Sequence, residues 1–82
     1  MMTETVAVKI GELSPGELGI RVDCGGLRFL TRGSLEFARL CGNAELAKLA
    51  ARACPAAYQE VAEAAVFRQL ESGRPYTQGP RT

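Results

Sequence analysis

Two consecutive glycines, Gly25 and Gly26, separate two segments in which side chains of different polarity alternate. Glycine adopts the positive φ angles that a two-residue type I′ or II′ turn requires, so the pair predicts the turn of a β-hairpin. Counting outward from this turn, one face of the hairpin carries Leu18, Ile20, Val22, Cys24, Leu27, Phe29 and Thr31. That face is mostly apolar and the opposite face is charged, so we expect the first to cover a core and the second to meet solvent.

The position of this turn also predicts which residues pair across the hairpin. With residues 25 and 26 in the turn, residues 24, 23, 22 and 21 face residues 27, 28, 29 and 30 in that order. Asp23 is then expected to pair with Arg28 on the outer face, and Val22 with Phe29 on the inner face. A slip of one residue would exchange the two faces, so every statement about the outer face depends on this turn.

A shorter alternation precedes the hairpin. Side chains alternate from Thr5 to Ile10, which predicts a first strand. Gly11 interrupts the pattern, and Pro15 followed by Gly16 is a strong turn signal. Because the connection is short, we expect the first strand to pair antiparallel with the second and to complete a three-stranded meander.

After the hairpin, the apolar period changes from about 2 to about 3.6 residues, which predicts helices. Ser34 is expected to cap a first, short helix that ends at Leu40 or Cys41. Gly42 suits the left-handed position that follows a helix, and Asn43 would then cap the second helix.

Cys54 and Pro55 mark the boundary of the next helix. A residue that precedes proline avoids the helical region, whereas proline is well tolerated in a first helical turn. We therefore expect a third helix from Pro55 to Ser72, with a kink in one long helix as the alternative.

These elements predict one α+β domain at residues 1–73, in the order βββααα. In this fold, two or three helices cover the apolar face of a three-stranded antiparallel meander. Residues 74–82 contain two prolines and a glycine, and we expect them to form a flexible tail. A chain of 82 residues has room for only a small core, so self-association or a bound partner would add buried surface.

The composition excludes most familiar catalytic sites. The sequence has no histidine, which removes the commonest general base and the commonest metal ligand. Its three cysteines are widely spaced, which fits reduced thiols in the cytoplasm better than a disulfide framework or a thiolate metal site. Neither a phosphate-binding glycine motif nor a run of 18 apolar residues is present. We therefore expect a cytoplasmic protein without enzymatic activity, metal, other cofactor or membrane contact.

Cys54 is the best candidate for a reactive thiol, because a cysteine before the first turn of a helix lies where the helix dipole lowers the thiol pKa. No second cysteine lies close to it in the sequence and no basic partner for the thiol is evident, so a helix-boundary role is the alternative. Cys24 belongs to the apolar face of the hairpin and Cys41 is grouped with Phe37 and Leu40, so both are predicted core residues.

The outer face of the hairpin is the main candidate binding surface. It carries Arg21, Arg28 and Arg32 around the apolar side chain of Leu30, and Lys9 of the first strand is expected to join them. Arginine anchors beside apolar side chains are frequent in protein interfaces. The alternative interpretation is a solvated face whose charges prevent edge pairing between sheets.

The first functional hypothesis is a small, non-enzymatic interaction module, a regulator or inhibitor that binds a larger protein or protein complex and that can form a homodimer. Small inhibitors of phages and mobile elements, such as blockers of nucleic-acid-targeting defence complexes, are similar in size only. The alternative is a nucleic-acid-binding regulator, because residues 21–54 hold six basic and three acidic side chains whereas the whole chain has a net charge of +1. Against it, the outer face lacks the aromatic platforms on which bases stack. A second alternative is a thiol-dependent redox protein that uses Cys54. No sequence motif points to a known family.

Overall fold

The computed structural model describes residues 6–73 of the chain. Three strands precede three helices, and their bounds are β1 (Val6–Ser14), β2 (Glu17–Cys24), β3 (Leu27–Ser34), α1 (Leu35–Leu40), α2 (Asn43–Arg52) and α3 (Ala56–Ser72). The sheet order is β1-β2-β3, and both outer strands run antiparallel to β2. The predicted α+β fold, a meander followed by helices, is confirmed.

The turn between β2 and β3 lies at the predicted position. Gly25 and Gly26 have φ angles of +59° and +79°, and two consecutive positive values define a type I′ turn. The register follows as expected: Cys24 pairs with Leu27, and the pairing continues without a shift to Glu17 and Ser34. The assignment of side chains to the inner and outer faces is therefore confirmed.

The first strand is longer than the sequence pattern predicted. It continues past Ile10 to Ser14, and its pairing with β2 shifts between Glu12 and Ser14, which marks a β-bulge. The predicted turn at Pro15 and Gly16 is present, with φ of +81° at the glycine. The alternation of polarity ends at Gly11 although the strand does not, because glycine has no side chain and the polar Glu12 takes the inner position opposite Leu18. The predicted start at Thr5 lies outside the described residues.

The three helices cover the inner face of the sheet and enclose the core with β2. The buried apolar residues are Leu18, Ile20, Val22, Cys24, Leu35, Ala38, Leu46, Ala47, Ala50, Ala51, Cys54, Ala62, Val66 and Leu70. Alanine supplies four of the seven buried positions on α2 and α3, and its small side chain lets these two helices pack closely. None of the described residues with a polar or charged side chain is buried. Folding therefore rests on apolar packing centred on β2.

The inner positions of the outer strands are less well covered. Val6, Val8, Ile10 and Phe29 are only partly buried, and Leu27 is 58% exposed although it lies on the inner face. The helices thus protect the middle of the sheet better than its two edges.

Helix α1 begins where the sequence predicted, but it turns a different face toward the core. The Ser34 hydroxyl accepts a hydrogen bond from the backbone N–H of Phe37 at 3.0 Å, so the predicted cap is confirmed. Leu35 and Ala38 are buried, whereas Phe37 and Leu40 are exposed. Grouping Phe37 and Leu40 with the core was therefore wrong. A helix of six residues is too short for its apolar period to define one face.

The junction between α1 and α2 also differs from the prediction. Gly42 has a φ of −77° and is the N-cap of α2, so it does not occupy a left-handed position. Asn43 is the first residue of α2, and its side-chain amide donates a hydrogen bond to the carboxylate of Glu71 on α3. The Asn43 side chain therefore links α2 to α3 by a hydrogen bond and does not cap α2.

The boundary between α2 and α3 is a true break, so the alternative of one kinked helix is wrong. Helix α2 ends at Arg52, and Pro55 is the N-cap of α3 with an extended ψ of 152°. The helix that was predicted to start at Pro55 starts at Ala56 and ends at Ser72 as expected. The predicted tail at residues 74–82 lies outside the described residues.

Candidate functional site

The outer face of the sheet brings the predicted binding residues together. Lys9 of β1 pairs with Arg21 of β2, and Arg21 pairs with Leu30 of β3, so these three side chains form one row across the sheet. Arg28 and Arg32 lie on either side of Leu30 along β3 and share its face. One continuous surface of four basic side chains and one apolar side chain results, and we call it the outer face.

The arginines of the outer face are paired with carboxylates of the same face. Asp23 lies 3.3 Å from Nε of Arg28 and 3.5 Å from Nη2 of Arg21, so one carboxylate serves two guanidinium groups. The predicted pairing of Asp23 with Arg28 is confirmed. Both arginines keep at least a third of their side chains exposed, so these are surface ion pairs of modest strength.

A further ion pair lies at the other end of the outer face. Arg32 donates two hydrogen bonds to the carboxylate of Glu17, at 3.1 and 3.3 Å. The hydrogen bond from Arg32, with a second one from the Ser14 hydroxyl, holds the pKa of Glu17 below its ordinary value. Glu17 is therefore ionised at neutral pH and neutralises Arg32. Among the described residues, Lys9 is the basic group of the outer face that has no ion-pair partner.

Arg21 occupies the centre of the outer face, and not all of its hydrogen-bond donors have partners. Its Nη2 atom meets Asp23, but its Nε atom is buried and makes no hydrogen bond to any described residue. An unpaired buried donor costs stability, on the order of 1 kcal/mol or more. A group that accepted this hydrogen bond would recover part of that cost.

Two glycines create a shallow groove in the outer face. Gly11 and Gly19 lie opposite each other on β1 and β2, so neither strand presents a Cβ atom there. The Leu13 side chain packs onto Gly19, and a Cβ at that position would approach three Leu13 carbons to 2.7–2.9 Å. A larger residue at position 19 would therefore displace the Leu13 side chain.

Leu13 is the residue of this surface that the sequence did not reveal. The groove has a volume of about 510 Å³, and Leu13, Leu30, Lys9, Arg21 and Arg28 contribute to its lining. Leu13 and Leu30 are each 47% exposed, so the groove presents two apolar side chains to solvent. The predicted first strand ended at Ile10, because nothing in the polarity of Gly11 and Glu12 indicates that the strand continues to residue 13.

Cys54, the candidate reactive thiol, lies in the core. Burial, together with the neighbouring thiol of Cys24, raises the pKa of Cys54 to about 11. Its Sγ atom also lies 3.9 Å from the carbonyl oxygen of Ala50. An activated thiolate needs a lowered pKa and solvent access, and Cys54 has neither. The sequence did not indicate that Cys24 would be its neighbour, because 30 residues separate them.

Among residues 6–73, no three histidine, cysteine, aspartate or glutamate side chains are grouped closely enough to hold a metal ion. The described helices are also too short or too polar to cross a lipid bilayer.

On the outer face, basic and apolar side chains thus line one concave surface. Comparison of the chain with protein-family models, curated proteins and solved structures gave no significant match.

Proposed function

We propose that this chain is a non-enzymatic interaction module that regulates or inhibits a larger protein, and that the outer face binds this partner. The observation that carries the proposal is the groove between Leu13 and Leu30, which is open to solvent and bordered by Lys9, Arg21 and Arg28. Exposed apolar side chains beside arginines are typical of the centres of protein interfaces. A protein whose outer face served solubility alone would gain nothing from this apolar groove.

The charges of the groove define the chemistry of the partner. Lys9 is unpaired among the described residues, and Arg21 retains an unsatisfied Nε donor. Both groups favour a carboxylate or carbonyl oxygen on the partner, placed beside an apolar side chain that enters between Leu13 and Leu30. The expected partner surface is therefore apolar with acidic residues around it.

The ion pairs of the outer face favour a protein partner over a nucleic acid. Asp23 and Glu17 already neutralise Arg28 and Arg32, and a phosphate backbone would have to displace or approach these carboxylates. Affinity for nucleic acids comes largely from basic groups that are free to replace counterions. A steep fall of binding with salt would support the nucleic-acid alternative instead.

Affinity capture with quantitative mass spectrometry tests this proposal. The test variant is Lys9→Glu combined with Arg28→Glu, which reverses two exposed charges at the edge of the groove. We expect the partner captured by the unaltered protein to be lost, with at least a tenfold fall in recovery. Binding of the purified partner should then be measured directly.

The matched control is Lys48→Glu combined with Arg52→Glu, which makes the same charge change at exposed positions of α2. This variant should capture the partner as the unaltered protein does, and circular dichroism should show both variants folded. Equal capture by the two variants would exclude the outer face as the binding surface.

A further inference from the structure

The outer edge of β3 is an open hydrogen-bonding edge. In the type I′ turn, Cys24 accepts a hydrogen bond from Leu27, so these residues form a hydrogen-bonded pair of the antiparallel ladder. Hydrogen-bonded and non-bonded pairs alternate, so the backbone groups of Arg28, Leu30 and Arg32 point away from β2. No described strand lies on that side, because β3 ends the sheet.

This edge lacks two features that often prevent strand addition, a proline and a β-bulge. Strand β3 contains no proline, and its register with β2 shows no bulge. Strand β1, at the opposite edge, has a bulge near its end. Strand β3 is therefore the regular one of the two edges.

Apolar side chains are exposed on the inner side of the β3 edge. Leu27 is 58% exposed, Phe37 of α1 is 51% exposed, and Phe29 between them is only partly buried. Phe37 and Thr31 line the same small pocket, which places this phenyl ring beside the inner face of β3. An added strand would bury these side chains as well as pair the open backbone groups.

The geometry points to a second copy of this chain as the occupant of this edge, with the two β3 strands paired antiparallel about a two-fold axis at Phe29. In this register Phe29 faces Phe29 of the second copy, and Leu27 faces Thr31 beside Phe37. Residue 29 forms a non-hydrogen-bonded pair, the type that brings side chains closest and suits an aromatic pair. The open groups of Arg28 then pair with those of Leu30 in the second copy, so two three-stranded sheets become one of six strands.

Charge repulsion and side-chain contacts together select this register from its neighbours. An axis at Leu30 would place Arg28 directly opposite Arg32 of the second copy, and like charges in that position are destabilising. An axis at Thr31 would place Phe29 opposite Gly33, where it has no side chain to contact. The axis at Phe29 places Arg28 opposite Leu30, so no like charges face each other directly and the apolar side chains of the inner face meet.

This inference goes beyond the proposed function and does not depend on it. The dimer uses the backbone edge of β3 and its inner side chains, whereas the proposed partner binds the groove between Leu13 and Leu30. The groove lies on the β1 side of Leu30, so a dimer would carry two of them.

Native mass spectrometry and light scattering of the purified chain test the proposal first. We expect a dimer that dissociates on dilution. A monomer at every concentration would overturn the inference, whether or not a partner strand from another protein can occupy the edge.

Proline substitutions then test whether β3 forms the interface. Leu30→Pro removes a backbone N–H that points to the open edge and leaves the bonds between β2 and β3 intact. We expect this variant to remain folded and to lose the dimer. The matched control is Val8→Pro, which removes the corresponding outward N–H at the edge of β1 and should leave the dimer intact. A dimer that survives Leu30→Pro in a folded protein would contradict the proposal.

Cysteine cross-linking determines the register without relying on proline. The background is Cys41→Ser, because Cys41 is only partly buried whereas Cys24 and Cys54 are buried. In this background, Phe29→Cys should form a disulfide-linked dimer on oxidation with diamide, because a residue on the two-fold axis meets its own copy within disulfide reach. Leu30→Cys and Thr31→Cys should cross-link far less. Preferential cross-linking at residue 30 or 31 would overturn the register.

Discussion

The hydroxyl group of Tyr58 lies where a side chain at residue 25 would begin. A Cβ atom added to Gly25 would approach the Oη atom of Tyr58 to 2.6 Å, whereas a Cβ added to Gly26 would meet open space. Both glycines have positive φ angles, so both positions are strained for other residues. The two glycines of the turn therefore differ: Gly26 is required by backbone conformation alone, and Gly25 also by packing against α3.

Alanine substitutions at the two positions should separate these effects. We expect Gly26→Ala to lower the free energy of unfolding by about 1 kcal/mol, because alanine is strained in the left-handed region. Gly25→Ala should cost about 2 kcal/mol, because its methyl group also displaces the Tyr58 ring. Urea denaturation followed by circular dichroism measures both values.

The control for this comparison is Tyr58→Phe, which removes only the hydroxyl group. In that background the cost of Gly25→Ala should fall toward the cost of Gly26→Ala. If Gly25→Ala costs no more than Gly26→Ala in the unaltered protein, the packing of Tyr58 on the turn is not as described.

At the scale of single residues, the alternation of polarity along a strand predicts which face of the sheet a side chain occupies. It does not predict contacts between residues that are distant in the sequence. The predicted face is correct for every candidate binding residue, because its distance in residues from the turn determines the side of the sheet on which it lies. These residues are Lys9, Arg21, Arg28, Leu30 and Arg32. Leu13 was missed because its contact with Gly19 arises only when β1 and β2 are paired. The buried pair of Cys24 and Cys54 was missed for the same reason.

At the scale of elements, the first helix depends strongly on its cap. Helix α1 has only six residues, so few of its backbone groups have partners within the helix. The Ser34 side chain provides one of the missing acceptors for Phe37, and Leu35 and Ala38 provide the packing. Most of the stability of α1 therefore comes from its first turn and its two buried residues.

Ser34→Ala should lower the free energy of unfolding by about 1 kcal/mol, because it removes the acceptor of the capping hydrogen bond. Ser34→Thr keeps a hydroxyl group and should retain most of the stability. Urea denaturation of the three proteins provides the comparison. Equal losses for alanine and threonine would show that the hydroxyl group does not act as a cap.

The strands could be predicted better than the helices, and the physical reason is the spacing of their side chains. A period of two residues assigns every side chain of β2 and β3 to a face as soon as one turn is located. A helix needs several turns before its apolar face is defined, and α1 has fewer than two. The phase of α1 was therefore set by its packing against the sheet, as the exposure of Phe37 and Leu40 shows.

At the scale of the whole molecule, the buried thiol of Cys54 links folding to pH. Its pKa is about 11 in the folded protein, above the ordinary thiol value of 9.0. Between these values the unfolded chain releases the proton while the folded chain retains it, so the unfolded state is favoured as the pH rises. We expect this group to remove stability on the order of 2 kcal/mol between pH 9 and 11, and none below pH 8.

Urea denaturation at a series of pH values checks this expectation, with Cys54→Ala as the comparison. The alanine variant should be less stable at neutral pH because it leaves a small cavity. Its stability should nevertheless fall less steeply above pH 9 than that of the unaltered protein. Parallel curves for the two proteins would contradict the effect of Cys54.

The alternation along β2 has a consequence for how this protein can change in evolution. Leu18, Ile20, Val22 and Cys24 build the core, whereas Arg21 and Asp23 between them face solvent. No side chain of this strand serves both purposes. Substitutions at positions such as Arg21 and Asp23 can therefore accumulate without loss of the fold, and related chains could acquire different surface chemistries on one unchanged scaffold.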